Sequence, residues 1–161
     1  MKSFREIVEK GEAGAMRDAL RSARTLSELD EGLRVAIRRG DKAGQELIVS
    51  GGADVNFARK RDGWRPLHSA VEHRQKETIR LLVASGGDLN LADGRGATPL
   101  HLAVDVEADT AHQLGGLPGT DLIELLLELG ADRHTSDIEG KTARDWAHEY
   151  EHGRAVSLLE G

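Results

Sequence analysis

An apolar triplet followed within three residues by a Gly-x-Asp turn occurs three times in this chain of 161 residues. The triplets are Leu47-Ile48-Val49, Leu81-Leu82-Val83 and Leu125-Leu126-Leu127. Their turns are Gly52-Ala53-Asp54, Gly86-Gly87-Asp88 and Gly130-Ala131-Asp132, with leading glycines 34 and then 44 residues apart. A second motif precedes the later copies, as Pro66-Leu67-His68-Ser69-Ala70 and Thr98-Pro99-Leu100-His101-Leu102-Ala103, 33 residues apart. A period of this length belongs to stacked helical units, because no unit of that size buries its apolar face alone. The constraint sets the architecture and leaves little room for a catalytic pocket.

Composition agrees. Hydrophobic residues make up 39% of the chain and aromatic residues only 3%. The core must therefore come from Leu, Ile, Val and Ala, which suits helix stacking better than a sandwich. The length fits one domain. No stretch reaches the length of a membrane span, and the charged start from Met1 to Glu12 predicts no signal peptide. The absence of cysteine excludes disulfides and cysteine metal sites, and it fits a cytoplasmic location.

The net charge of −6 conceals a division. Residues 1–80 carry 17 Lys/Arg against 13 Asp/Glu, and residues 81–161 carry 5 against 15. Solvated faces drift apart in this way without any function. As a functional feature, the same division is a two-signed field that orients a partner. The acidic total argues against nucleic acid or an anionic membrane as the main target.

Each unit reads as hairpin turn, helix, turn, helix. Thr98 caps the first helix of the third unit, and Pro99 fits its first turn, where no N–H is needed. Gly52, Gly86 and Gly130 fall where a helix ends in a left-handed residue. Gly63, Gly96 and Gly140 fall at hairpin tips that call for positive φ. The recurring Thr98-Pro99-Leu100-His101-Leu102-Ala103-Val104, Gly52-Ala53-Asp54-Val55-Asn56, Pro66-Leu67-His68-Ser69-Ala70-Val71 and Gly140-Lys141-Thr142-Ala143 resemble the ankyrin repeat. The resemblance implies an all-α solenoid of helix-turn-helix units joined by hairpin loops, forming a single domain over 1–161. Repeats are expected at 29–61, 62–94 and 95–138, with a degenerate N-terminal cap at 3–28 and a C-terminal cap at 139–161. Phe4, Ile7, Val8, Met16, Ala19 and Leu20 supply the apolar positions of the N-terminal cap. The likeness extends in general terms to small, stand-alone ankyrin proteins of bacteria.

The departures from that pattern are specific. The first repeat lacks the Thr-Pro and His, keeping Leu33, Ala36 and Gly40. The second has Arg65 for Thr, and Arg74 where a helix-ending Gly is usual. The hairpin between these repeats is one residue longer than the next. Arg144 replaces a core Leu in the last unit, which only a half-solvated terminal layer tolerates. The third repeat carries about eleven extra residues within 107–119. Loops of that length in a compact unit tend to be functional or disordered. Val104 to Gln113 can extend the first helix before Gly115-Gly116-Leu117-Pro118 breaks it.

His148-Glu149-Tyr150-Glu151-His152 satisfies both H-E-x-x-H and H-x-x-E-H, the signatures of zinc hydrolases. That chemistry needs both imidazoles on one continuous helix and a third ligand. Here the repeat register ends the helix at Glu151 and sends His152 into the next turn, so the rings diverge and a zinc hydrolase is the remote reading. The resemblance gives His68 and His101 structural roles, with ring hydrogen bonds to the hairpin backbone. His73, His112 and His134 read as solvated. Asp105, Glu107 and Asp109 alternate like calcium ligands but lack the Gly turn and distal Glu, so they read as a solvated helix end. Gly94-Arg95-Gly96 follows no apolar strand and is a hairpin tip. No Ser-His-Asp or Cys-His arrangement appears, and neither a catalytic residue, a metal ligand nor a cofactor is expected.

In ankyrin stacks the hairpin tips and the exposed side of the first helices form a concave surface. On this chain the resemblance assigns to it Arg38, Arg39, Arg61, Trp64, Glu72, His73, Arg95, Asp105 and Tyr150. Trp, Tyr and Arg dominate binding hot spots. Trp64 either stands exposed as an anchor beside Arg59, Lys60, Arg61 and Arg65, or folds back over Arg65 or the neighbouring hairpin. Trp146 reads as core. The function expected is non-catalytic binding of another protein by a monomer. The alternative is a bacterial inhibitor or immunity-type protein that neutralises a toxin or enzyme, and an adaptor joining two partners is a variant of the same idea.

Overall fold

The computed structural model describes residues 4–11, 13–22, 26–114 and 116–160. The side chains of Phe4, Met16 and Ala19, expected in the N-terminal cap, lie outside the described residues, as does Gly115. Among the described residues the chain is helical, and its β pairing is an isolated bridge between Ser136 and Thr142. It divides into two compact units.

The first unit comprises Met1–Phe57 and Arg65–Gly87. It contains α1 (Phe4–Lys10), α2 (Ala13–Ser22), α3 (Leu26–Arg39), α4 (Lys42–Ser50), α5 (Pro66–Glu72) and α6 (Lys76–Ala84). Helices pair as α1 with α2, α3 with α4 and α5 with α6. The first helices stack α1 on α3 on α5, and the second helices stack α2 on α4 on α6, giving two layers. The reason lies in the i, i+3, i+4 spacing, which sets three side chains on one helical face. Leu33, Ala36 and Ile37 repeat as Leu67, Ala70 and Val71, and all six are buried. The central alanine lets neighbouring first helices approach closely.

The second unit comprises Ala58–Trp64 and Asp88–Gly161. It contains α7 (Pro99–Leu114), α8 (Asp121–Glu128), α9 (Ala143–Glu149) and α10 (Gly153–Leu159). The same spacing recurs as Leu100, Ala103 and Val104, all buried, and as Ala143, Trp146 and Ala147, with Trp146 half-buried. Arg144 is half-buried and donates to Glu160 Oε1 at 2.7 Å, as a terminal layer allows.

Glycine takes positive φ at the expected places, +71°, +78° and +79° for Gly63, Gly96 and Gly140. The helix-ending Gly52, Gly86 and Gly130 lie between +92° and +96°. Two non-glycine residues stand where a helix-ending glycine belongs, Arg74 at +53° and Glu151 at +54°.

Buried polar groups hold the units at points the repeat pattern does not mark. The carbonyls of Ala36 and Ile37, near the end of α3, accept from the N–H groups of Asp41 and Gly40, and side chains add a second bond to each. Gln45, buried, donates to Ala36 O at 3.2 Å, and Gln75 donates to Ile37 O at 2.6 Å. Thr78 joins them, its hydroxyl 2.7 Å from Gln45 Oε1.

In the second unit α7 continues through the inserted segment to Leu114. Glu107 is not part of a solvated helix end, as the alternation of acids implied, but is 1% exposed. Its Oε1 accepts from the backbone N–H of Leu122 at 2.6 Å, supplying the first turn of α8 with an acceptor. A Cβ on Gly119 would fall 2.8 Å from Glu107 Oε2, so a larger residue there would make that carboxylate shift.

Replacing Glu107 by Ala leaves a buried N–H without this acceptor and is expected to lower the unfolding free energy by about 1–3 kcal/mol in urea titration. Glu107→Gln, which keeps an acceptor oxygen, should lose clearly less. Glu151→Gly removes a left-handed strain of about 1–2 kcal/mol at an exposed position. After the extra freedom of an unfolded glycine, a net gain of about 0.5–1 kcal/mol is expected from the same titration.

Candidate functional site

Three hairpins of the second unit are joined edge to edge by their backbones. Their outer closing bonds run from Arg59 N–H to Trp64 O, Asp93 N–H to Ala97 O and Asp137 N–H to Lys141 O, at 2.7–2.9 Å. The first spans one residue more than the others, as its sequence predicts. Gly94 N–H then donates to Asp62 O at 2.8 Å, and Ile138 N–H donates to Arg95 O at 3.1 Å. A Cβ on Gly63 or Gly96 would come within 2.6 Å of the next hairpin's backbone nitrogen, so the tip glycines are needed for contact as well as for φ.

An aspartate organises each hairpin from inside. Asp93 Oδ1 accepts from the N–H groups of Arg95 and Ala97, and Asp137 Oδ1 accepts from those of Glu139 and Lys141, all at 2.8–3.0 Å. Burial pushes the Asp137 carboxyl up, but the Lys141 N–H, the Trp146 indole N–H and the Glu139 N–H outweigh it and leave it below the usual range. Asp62 is held at about 2, chiefly by its hydrogen bonds with the Arg59 guanidinium.

His101 ties a hairpin to a helix. Its Nδ1 accepts from Thr98 N–H at 3.3 Å and lies 2.9 Å from the Thr98 hydroxyl, while Nε2–H donates to Lys141 O at 3.0 Å. Burial lowers its pKa, keeping the ring in the neutral form that this pattern requires. His152 works the same way: Nδ1 accepts from Ala155 N–H at 3.3 Å, and Nε2–H donates to Gly119 O at 2.8 Å. Both ring nitrogens of His152 are thus engaged in capping α10 and holding the loop before α8, whereas His148 is exposed on α9. The two histidines of the zinc-like motif serve different environments. Among the described residues no group of three or more His, Asp or Glu is placed to hold a metal.

Above this frame lies a cleft of about 280 Å³ lined by Arg95, Ile138, Lys141, Trp146, Glu149 and Tyr150, with Asp137 and Glu139 at its edge. Trp146 is more a wall of this cleft than core. Its indole N–H donates to Asp137 Oδ2 at 2.9 Å, and its ring meets His101 and Tyr150 edge-on, with centroids 5.3 and 6.4 Å away. Lys141 Nζ sits 3.0 Å from Glu139 and 2.6 Å from Glu149, which raises its pKa.

A family model of three ankyrin repeats matches residues 33–115, and one of a single ankyrin repeat matches residues 95–138. The chain belongs to the ankyrin-repeat family. It is 35% identical over 82 residues to 2-5A-dependent ribonuclease of Mus musculus, covering 51% of this chain and 11% of that protein. Ankyrin repeat and SOCS box protein 11 of Danio rerio is 36% identical over 114 residues, 70% of this chain and 34% of the relative. An ankyrin repeat protein of Fowlpox virus is 30% identical over 131 residues, 79% of this chain and 36% of the other. The chain therefore spans between 11% and 36% of the length of these three relatives.

The sequence-assigned residues fall into separate settings on this ankyrin array. In the first unit Arg38 and Arg39 are exposed at the end of α3. Glu72 and His73 are exposed at the end of α5, with His73 Nδ1 3.4 Å from Glu72. In the second unit Arg61 extends from the long hairpin, 84% exposed. Trp64 does not stand out as an exposed tip. It is half-buried, with the Arg59 guanidinium 5.6 Å from its ring centroid. Arg95, Asp105 and Tyr150 converge: Arg95 and Tyr150 line the cleft, and Tyr150 Oη donates to Asp105 Oδ1 at 2.9 Å. The exposed large apolar side chains are Leu117 (88%), Ile138 (75%) and Tyr150 (43%) among the described residues. In the sequence Ile138 lies two residues before the tip glycine Gly140, and nothing in its neighbours marks it as uncovered.

Burial and the bond to Asp105 push the Tyr150 hydroxyl up to about 12. Tyr150 is the only tyrosine, so the absorbance of tyrosinate near 295 nm reports it alone. Its midpoint is expected well above the ordinary value near 10, and Asp105→Asn should bring it back toward that value.

Proposed function

We propose that this ankyrin chain is a non-catalytic protein-binding module whose partner lies along the hairpin tips and exposed first-helix ends, the side that is concave in ankyrin stacks. The observation that carries the reading is the fixed presentation of Ile138, Tyr150 and Arg95. Backbone bonds between hairpins fix the main chain that carries Arg95 and Ile138, and Tyr150 Oη donates to Asp105, so part of their order precedes binding and less entropy is lost on association. The module on this reading is the run of repeats 29–61, 62–94 and 95–138 with the flanking segments, acting as a monomer. Arg38, Arg39, Glu72 and His73 are its proposed contacts in the first unit. Arg61, Trp64, Arg95, Asp105 and Tyr150 are those of the second. The lack of cysteine supports a cytoplasmic setting, and among the described residues no helix is long and apolar enough to cross a membrane.

A narrower form of the same reading is an inhibitor of a toxin or enzyme, of the small bacterial kind. The division of charge along the chain favours it, since a two-signed surface speeds and orients the capture of one defined partner. The three relatives described come from animals and a poxvirus and add nothing to the bacterial part of that proposal.

Affinity capture from a lysate of the source organism tests the reading. Wild-type protein is compared with Tyr150→Ala and with Arg38→Glu/His73→Ala, each verified as folded by circular dichroism. A protein retained by the wild type and lost, by about tenfold or more, on at least one variant is the expected result. Equal retention on all three would move the binding surface away from these residues.

A further inference from the structure

The cleft of the second unit combines two features rarely placed together without use. One part of its wall is apolar and uncovered, with Ile138 and Tyr150 exposed and the half-buried Trp146 beside them, among charged neighbours. Its charge balance is acidic. Lys141 is shared between Glu139 and Glu149, and Arg95 lies 3.4 Å from Asp93. Among the described residues Asp105 and Asp137 accept hydrogen bonds from neutral donors, the Tyr150 hydroxyl and the N–H groups of Trp146 and the hairpin. The cations present are therefore matched or outnumbered, and negative charge remains beside two aromatic rings set at 85° to each other.

A neutral peptide lying in the cleft would strip water from those carboxylates without replacing it. An acidic one would add repulsion. A cation satisfies the carboxylates and the aromatic faces at once. Arginine fits better than lysine, because its guanidinium is less strongly hydrated, stacks on aromatic rings and forks across carboxylate oxygens. Its methylene stem would lie along Ile138.

We propose that this cleft receives an arginine side chain from a basic segment of the partner protein, seated against Trp146 and Tyr150 and bound by Glu149 and Asp105. The proposal rests on the protein-binding reading above and names the chemistry of the partner. It also explains the charge division locally: residues 88–161, which supply all of the cleft, carry 15 Asp/Glu against 5 Lys/Arg.

The test is selection of a displayed random-peptide library on the full chain. Fluorescein-labelled winners are then measured by anisotropy against wild type, Tyr150→Ala, Glu149→Gln and Arg38→Glu/His73→Ala. Glu149 is exposed at a helix end, so Glu149→Gln keeps the test valid even where Tyr150→Ala disturbs packing. The expected winners carry arginine next to aliphatic residues and weaken as salt rises from low to physiological strength. Tyr150→Ala and Glu149→Gln should each reduce their affinity by about tenfold or more. Winners without arginine, or winners that bind Glu149→Gln as tightly as wild type, overturn the proposal. If their binding falls instead on Arg38→Glu/His73→Ala, the binding-module reading stands while the cleft is refuted. Enrichment of no peptide above background overturns both.

Discussion

The backbone bonds between successive hairpins of the second unit decide where its exposed side chains point. Gly94 N–H to Asp62 O and Ile138 N–H to Arg95 O form only because the tip residues before them bear no Cβ. At 63 and 96 any other residue would meet a backbone nitrogen at 2.6 Å and would also carry left-handed strain. Once the tips are joined, the directions in which the Cα–Cβ bonds of Arg95 and Ile138 leave the main chain are set by backbone hydrogen bonds more than by side-chain packing. The aspartates inside the hairpins and the His101 ring then fix that face to the helices behind it.

His101 and His152 show one solution used twice. Each accepts from a backbone N–H in the first turn of its own helix, or just before it, and donates to a carbonyl more than thirty residues away. A neutral imidazole is suited to this, since it offers one acceptor and one donor on opposite sides of a rigid ring. The second instance falls at the inserted segment, and with Glu107 it turns an irregular stretch into part of the buried frame. The extra residues therefore contribute an extended helix and a tethered turn, with Leu117 its exposed large apolar side chain.

Most of the architecture could be read from the sequence because periodic features have local causes. The Leu-Ala-apolar triplets at i, i+3, i+4, the Thr98-Pro99 start and the tip glycines each act through their own backbone or the adjacent turn. Arg74 and Glu151 could be placed too, since register alone put them at helix ends. What escaped was set by distance in sequence. Glu107 looked like one of three alternating acids, and only the fold brings the N-terminus of α8 to it. Gln45 and Gln75 sit at unremarkable polar positions until α3 ends beside them. Trp64 could be assigned to the hairpin, but its cover is Arg59, and no pattern distinguishes a cation that paves an indole from one that is solvated.

The same distinction governs the binding face. A list of tip and helix-end positions treats Trp64, Arg95 and Tyr150 as equivalent, since each is a hot-spot residue type at a surface position. Their surroundings separate them. Trp64 already has a cation against its ring and a paired aspartate beside it, so a partner there would have to displace contacts before making new ones. Tyr150 and Ile138 leave apolar area uncovered, and the carboxylates at their margins, Asp105 bonded to Tyr150 Oη and Glu149 paired with Lys141, lie at an exposed edge. Binding energy gathers where apolar area is desolvated while nearby charges gain a counter-charge in the same step. By that criterion the acidic cleft, and not the basic hairpin that stands out in the sequence, is where the second unit has most to gain from a partner.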